Sequence, residues 1–318
     1  MENKKERIVS KKTAKSYFTT TGLILTIYAL VVLLFPNLLN IFLTYTNSTV
    51  LNDPILHYGI HFIILLIGTF IPFVLLKAVS KYKTKRIFRS VKVTFKELFF
   101  QTIVFFSLCA ALTFISTTLL NNLGFEGGLL SGIGLSYADE NLYNPLFVIM
   151  LIVVSPIMEE FAFRGVLLHG LGKYGKKFAL VASSIIFALA HSTVAEIIPA
   201  FAMGYFLGKI SLSYKSIQPS IFIHILFNAF IYGLCILPSK IAQYMSYAIA
   251  LMCVFAIYLV LTKRFKSIKV QALRSNRLTN ILFYTRPTII FTFILMLINF
   301  GLFYLSKNYS IIETFLLK

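Results

Sequence analysis

The sequence predicts an all-α, polytopic membrane bundle of eight or nine transmembrane helices, and three observations carry that prediction. First, 58% of the 318 residues are hydrophobic, only 13% are charged and mean hydropathy is +0.83, which leaves too little polar surface for a soluble chain of this size. Second, uncharged stretches recur at the ~20 residues that a ~30 Å hydrocarbon core requires. They are uniformly apolar, without the two-residue alternation of a membrane barrel. Third, the basic residues gather in alternate connections between those stretches.

In chain order the apolar intervals are 16–52, 54–76, 98–125, 141–158, 178–195, 216–239, 241–262 and 287–306. Residues 197–214 add one more if Lys209 snorkels to the interface. Nearly all of the 30 lysines and arginines fall in 1–15, 77–96, 164–177, 209–215 and 263–286, whereas the opposite connections carry Asp53, Glu126, Asp139, Glu140 and Glu196. That asymmetry predicts a multi-pass cell-membrane protein with its N-terminus in the cytoplasm and, with nine spans, its C-terminus outside. It also assigns the net charge of +19 to loops facing anionic lipid, at ~1 kcal/mol per residue, and not to nucleic acid. Cys109, Cys235 and Cys253 lie in predicted spans and read as small apolar fillers. The first span is too long and too late for a cleaved signal, and so it is expected to remain as a helix.

Three regions follow from where the intramembrane polar groups lie. Residues 1–142 comprise N-terminal spans with little chemistry and a glycine-rich external loop over 121–144, mobile or re-entrant. Residues 143–237 form the predicted catalytic core, and residues 238–318 add C-terminal spans around the basic stretch 263–286.

An ionisable group inside a span is costly, and it therefore marks a candidate site. Glu159 and Glu160 are adjacent at the predicted cytoplasmic end of the fourth span. Glu160 and Arg164 are i and i+4 with the acid first, the favourable orientation for a pair, while Glu159 points ~100° away with no such partner. Two carboxylates in different environments can take different roles, one neutralised and the other free to accept a proton. By itself the cluster also fits an ordinary helix-end salt bridge. His191 lies at the end of Phe187-Ala188-Leu189-Ala190-His191, expected within the fifth span. His224 and Asn228 share one face of the seventh at i and i+4, where both can donate toward a common point. Each alone fits interhelical packing, at ~0.6 kcal/mol per bond. Together they make a hydrolytic set of base, proton-sharing histidine and paired donors for an oxyanion. Ser183, Ser184 and Ser192 lie near His191, and none is next to a clear base. Convergence of Glu159, His191, His224 and Asn228 on one cavity is expected, although straight helices would put Glu159 and His191 at different depths.

The ordered trio Glu159-Glu160-x-x-x-Arg164, Phe187-x-x-x-His191 and His224-x-x-x-Asn228 resembles the CPBP family, the CAAX-protease and bacteriocin-processing intramembrane endopeptidases also called Abi. The resemblance covers roughly 143–237. It implies that Glu159 activates water with His191 assisting, that His224 and Asn228 stabilise the oxyanion, and that Glu160 and Arg164 support the site or a substrate carboxylate. The family mechanism it implies needs no ligated zinc. Glu159, His191 and His224 would be a chemically acceptable zinc set, but the His-Glu-x-x-His pattern of zinc helices is absent, and the metal-free reading is favoured. The expected partners are a membrane-associated peptide or protein substrate and the bilayer.

The remaining polar residues have plainer readings. His57 and His61 are two ligands short of a full site and suit an interface, and His169 is expected to be solvated. Ala200, Gly204 and Gly208 form a small-residue face for close helix packing. The rival functions are a non-catalytic membrane scaffold of the same family, which would have no need of paired oxyanion donors, and a proton-coupled transporter, which predicts inverted repeats that the sequence lacks.

Overall fold

The computed structural model describes residues 11–80, 88–122, 144–261 and 277–307, and the regular structure among them is entirely helical. Helix α1 (Lys11–Tyr28), a π-helical stretch Ala29–Leu34 and α2 (Phe35–Tyr45) form one rod, followed by α3 (Pro54–Ser80) and α4 (Phe95–Asn122). A second long rod runs through α5 (Pro145–Ile149), π-turns Met150–Val154, α6 (Ser155–Glu159), π-turns Glu160–Leu168, α7 (His169–Leu171) and a 3-10 turn Gly172–Tyr174. Then come α8 (Lys176–Leu189), α9 (Val194–Tyr214), α10 (Gln218–Ile236), α11 (Ser239–Leu261), α12 (Arg277–Tyr284) and α13 (Pro287–Lys307).

Five of these rods are long and apolar enough to cross a membrane: Lys12–Tyr45, Ile55–Ser80, Pro145–Tyr174, Val194–Tyr214 and Pro287–Ser306. Leu98–Thr113 and Gln218–Leu234 are shorter apolar helices. The helical membrane class is as the sequence predicts. Against the expected eight or nine spans, the described residues supply these five and two shorter ones. Most of the glycine-rich external loop (123–143) and parts of the basic segments (1–10, 81–87 and 262–276) lie outside the described residues.

The outer surface is apolar, as lipid contact demands: Ile63, Ile67, Phe70 and Leu251 are all more than half exposed. Polar side chains turn inward instead. Thr26 meets Thr292 at 2.9 Å, and Asn37 Nδ2 donates to Asn299 Oδ1 at 2.9 Å, tying the first rod to α13. Bonds of this kind are the interhelical glue available where no hydrophobic effect operates between helices.

Two proline placements explain the π-turns. Pro36 sits at the start of α2 and Pro156 at the start of α6, each just after a π-helical stretch. A proline has no N–H to give, and it crowds the preceding turn. The ladder upstream therefore resets, here by shifting to i→i+5 bonds, as Ser155 N–H does to the Met150 carbonyl. At the head of the same rod, Asn144 caps α5 by accepting from the Leu146 and Phe147 N–H groups, with Pro145 in the first turn.

The second rod corrects two sequence expectations. The fourth span does not end at Glu159 but continues to Tyr174, so the glutamate pair lies at mid-helix, and Arg164 belongs to the helix and not to a basic connection. The turn to α8 is made at Gly175, whose φ of 136° is the glycine conformation that lets the chain reverse. Helix α8 then ends at Leu189, which leaves His191 in the short connection before α9 and not inside a span. Glu160 lies 14 residues before Tyr174, and His191 lies 15 after Lys176. Counted from the Gly175 turn, both stand ~20 Å up their respective arms, and the expected mismatch in depth disappears.

Helix α9 starts with a reciprocal cap in which Glu196 Oε2 accepts from the Thr193 N–H at 3.3 Å. It packs closely on α8 through Gly204 and Gly208. A Cβ on Gly204 would lie 3.0 Å from the Ser184 Cα and 3.3 Å from the Phe187 ring. Gly204→Val should therefore push α8 and α9 apart and destabilise the protein by ~1–3 kcal/mol, the usual cost of overpacking. Thermal unfolding in detergent checks this, and an unchanged Tm would contradict the close approach.

Candidate active site

The site forms where the middle of the second rod meets α10 and the end of α8. Glu160 is fully buried and Arg164 nearly so, and Arg164 Nη1 lies 2.8 Å from Glu160 Oε1, the pair their spacing predicts. The same carboxylate oxygen lies 2.9 Å from His224 Nδ1. A carboxylate held by arginine can only accept, which assigns the Nδ1 proton to the His224 ring and leaves Nε2 as the free nitrogen. Glu160 thus does more than cancel Arg164: it orients His224.

The freed nitrogen faces the other glutamate. His224 Nε2 is 3.8 Å from Glu159 Oε2, too long for a direct hydrogen bond and short enough for one water to reach both. The Glu159 side chain is 22% exposed where that of Glu160 is wholly buried, so the adjacent carboxylates do occupy different environments. Glu159 is nonetheless partnered. Ser155, one turn earlier, donates its hydroxyl to Glu159 Oε1 at 2.5 Å, which turns Oε2 toward His224. Sequence reasoning weighed serines 183, 184 and 192 and missed Ser155; its signal was the i, i+4 spacing to Glu159.

Phe187 is the wall shared by these groups. The Arg164 guanidinium lies 4.1 Å from the centre of its ring, the His191 ring 4.9 Å away, the His224 ring 6.2 Å and Phe163 5.2 Å. Arginine over an aromatic face is a favourable contact when desolvated. Tyr28, at the end of α1, packs edge-on against Phe163 and Phe73. The N-terminal spans, expected to hold little chemistry, therefore help to close the site.

The contacts of four further sequence-marked groups are as follows. His191 donates Nδ1–H to the Phe187 carbonyl at 2.8 Å, and it hydrogen-bonds neither Glu159 nor His224, so it borders the site across Phe187 without joining the network. Asn228 points its side-chain amide at the Leu151 carbonyl, 2.9 Å away. The Glu160–Arg164 pair is buried. His169 is also not solvated: its Nδ1 donates to the Arg164 carbonyl at 2.5 Å within the rod.

Among the described residues no three His, Cys, Asp or Glu side chains are gathered to hold a metal ion. His57 and His61 pack ring to ring at 4.6 Å, with His61 Nδ1 donating to the His57 carbonyl and no third ligand beside them among the described residues.

Comparison with known proteins matches this same segment. Residues 141–230 fit the family described as type II CAAX prenyl endopeptidase Rce1-like. The chain is 33% identical over 88 residues to a putative membrane peptidase, YdiL, of Bacillus subtilis (strain 168), covering 27% of this chain and 36% of that protein. It is also 33% identical over 94 residues to the membrane-embedded CAAX protease MroQ of Staphylococcus aureus (strain USA300), covering 27% of this chain and 38% of that one. The chain thus spans little more than a third of the curated relatives it matches, and no solved structure matches it significantly. The stretch that carries the glutamate pair, both histidines and the asparagine is thus similar to the CAAX-protease-like, or CPBP, family of membrane peptidases.

Proposed function

We propose that the protein is a membrane endopeptidase that hydrolyses a peptide bond of a membrane-associated peptide or protein with a water held between Glu159 and His224. The observation that carries this reading is the relay Arg164–Glu160–His224, which aims Nε2 at the partly exposed Glu159 across 3.8 Å. A water donating one hydrogen to Glu159 Oε2 and the other to His224 Nε2 turns its lone pairs away from both, toward an incoming carbonyl carbon. As the C–O bond forms, Glu159 takes the first proton. As the C–N bond breaks, Glu159 returns that proton to the leaving amine, and the second proton passes to His224 as the carboxylate product forms. Glu160 holds the imidazolium that results, and Ser155 keeps the Glu159 carboxylate from turning away. No step requires a metal. The substrate approaches from the bilayer, and the orientation with the N-terminus in the cytoplasm belongs to this same proposal.

Cells carrying Glu159→Ala should accumulate at least one intact membrane-associated substrate and lose its fragments. Comparing the membrane and secreted peptidomes of wild-type and variant cells reads this directly. Identical peptidomes would count against an endopeptidase.

A further inference from the structure

We propose that Asn228 is a positioning residue that supplies the hydrogen bond Pro156 cannot make, and so locks α10 in the register that sets His224 against Glu159. This rests on the catalytic reading above for its effect on rate, and on geometry alone for the bond itself. It departs from the oxyanion-donor role that the sequence resemblance implies.

In an α-helix the Leu151 carbonyl would accept from the N–H of residue 155, and in a π-helical turn from that of residue 156. Ser155 N–H has gone to Met150 instead, in the i→i+5 register, and residue 156 is proline. Both donors that the helix itself could offer are therefore lost. An unpaired carbonyl at membrane depth costs far more than one facing water, because nothing in the hydrocarbon can replace the missing donor. Asn228 Nδ2 fills the gap from α10 at 2.9 Å. Asparagine suits the task, since its amide can give a proton where a carboxylate of the same shape would only repel the carbonyl.

The same bond fixes geometry. His224 lies one helical turn before Asn228 on α10, and Ser155 and Glu159 lie one and two turns after Leu151 on the rod. With Asn228 pinned to Leu151, α10 can neither slide nor rotate against the rod without breaking it. The 2.9 Å contact from His224 to Glu160 and the 3.8 Å gap to Glu159 are thereby held. Pro156 and Asn228 are thus two halves of one device. The proline frees a carbonyl, and the carbonyl gives the neighbouring helix a single register.

The test is a cycle of four full-length proteins in detergent: wild type, Asn228→Ala, Pro156→Ala and the double variant. Alanine at 156 restores an N–H that Leu151 can use within its own helix. Asn228→Ala alone should lower Tm and cut kcat by about 10²-fold, the cost of an ångström-scale misplacement, with KM within about twofold. In the Pro156→Ala background the same substitution should cost far less, and the double variant should recover Tm and bring kcat to within about tenfold of Pro156→Ala. If Asn228→Ala does not fold, recovery of a folded double variant is the same result. An oxyanion donor predicts that kcat stays low in the double variant even where Tm recovers, because no proline substitution replaces a donor to the substrate; that outcome, or a double variant no better than Asn228→Ala in Tm or yield, overturns the proposal. The Tm arm needs no substrate, so absence of peptidase activity in wild type itself would count against the proposed function while the Tm coupling still decides the role of Asn228.

Discussion

Glu159→Gln should abolish hydrolysis by the purified protein and leave its thermal unfolding in detergent almost unchanged. Glutamine keeps the shape of the side chain and an oxygen for the Ser155 hydroxyl, now 2.5 Å from Glu159 Oε1, so packing is preserved. What it removes is the base. General-base activation contributes ~10²–10⁴-fold in rate, and the loss should fall on kcat. A cleavable reporter peptide followed with both proteins reads the rate, and full activity in the variant would reject the roles given to Glu159 and His224. The substitution also removes a charge that is expensive in a membrane, so insertion should proceed normally.

Arg164→Ala should have the largest effect on stability. Glu160 is wholly buried, and Arg164 is the cation that balances it at 2.8 Å, so truncation leaves a charge with no compensation. Breaking such a pair on one side costs ~3–5 kcal/mol. It also strips the guanidinium from the Phe187 ring, opening a gap where Phe163, His191 and His224 meet. Adding Glu160→Gln to Arg164→Ala removes the orphaned charge, and much of the lost stability should return, since replacing both partners of a buried pair is far milder than removing one. Thermal unfolding of the single and double variants decides this. If the double variant is no more stable than Arg164→Ala, the buried charge is not what makes the single substitution costly.

Much of the site was legible because helical spacing is a strong local constraint. Glu160 and Arg164, four apart, had to share a face, and they pair. The ordered glutamate, histidine and asparagine motifs marked the segment that the family comparison also selects. What stayed hidden depended on where helices end and on what the backbone does in between. The charges that begin at Glu159 looked like the end of a span, but Arg164 is drawn inside by Glu160 and covered by Phe187, and the rod continues to Tyr174. His191 looked like part of a span, but α8 stops at Leu189. Asn228 looked like a partner for His224 because both share a face of α10. Its real partner is a backbone carbonyl, and only the proline at 156 and the π-turn before it reveal why. Phe187 was visible as a motif position and not as the ring on which Arg164, His191 and His224 converge, because packing between distant helices leaves no periodic trace in the sequence.

Digestion of a peptide library by the full-length protein in nanodiscs with oxygen-18 water tests directly whether a water between Glu159 and His224 attacks a peptide bond. Fragments whose new C-terminal carboxylates carry the heavy oxygen should be formed by wild type in the presence of a chelator and not by Glu159→Gln. Fragments that appear equally with Glu159→Gln, or cleavage that disappears on chelation and returns with zinc, would contradict this mechanism.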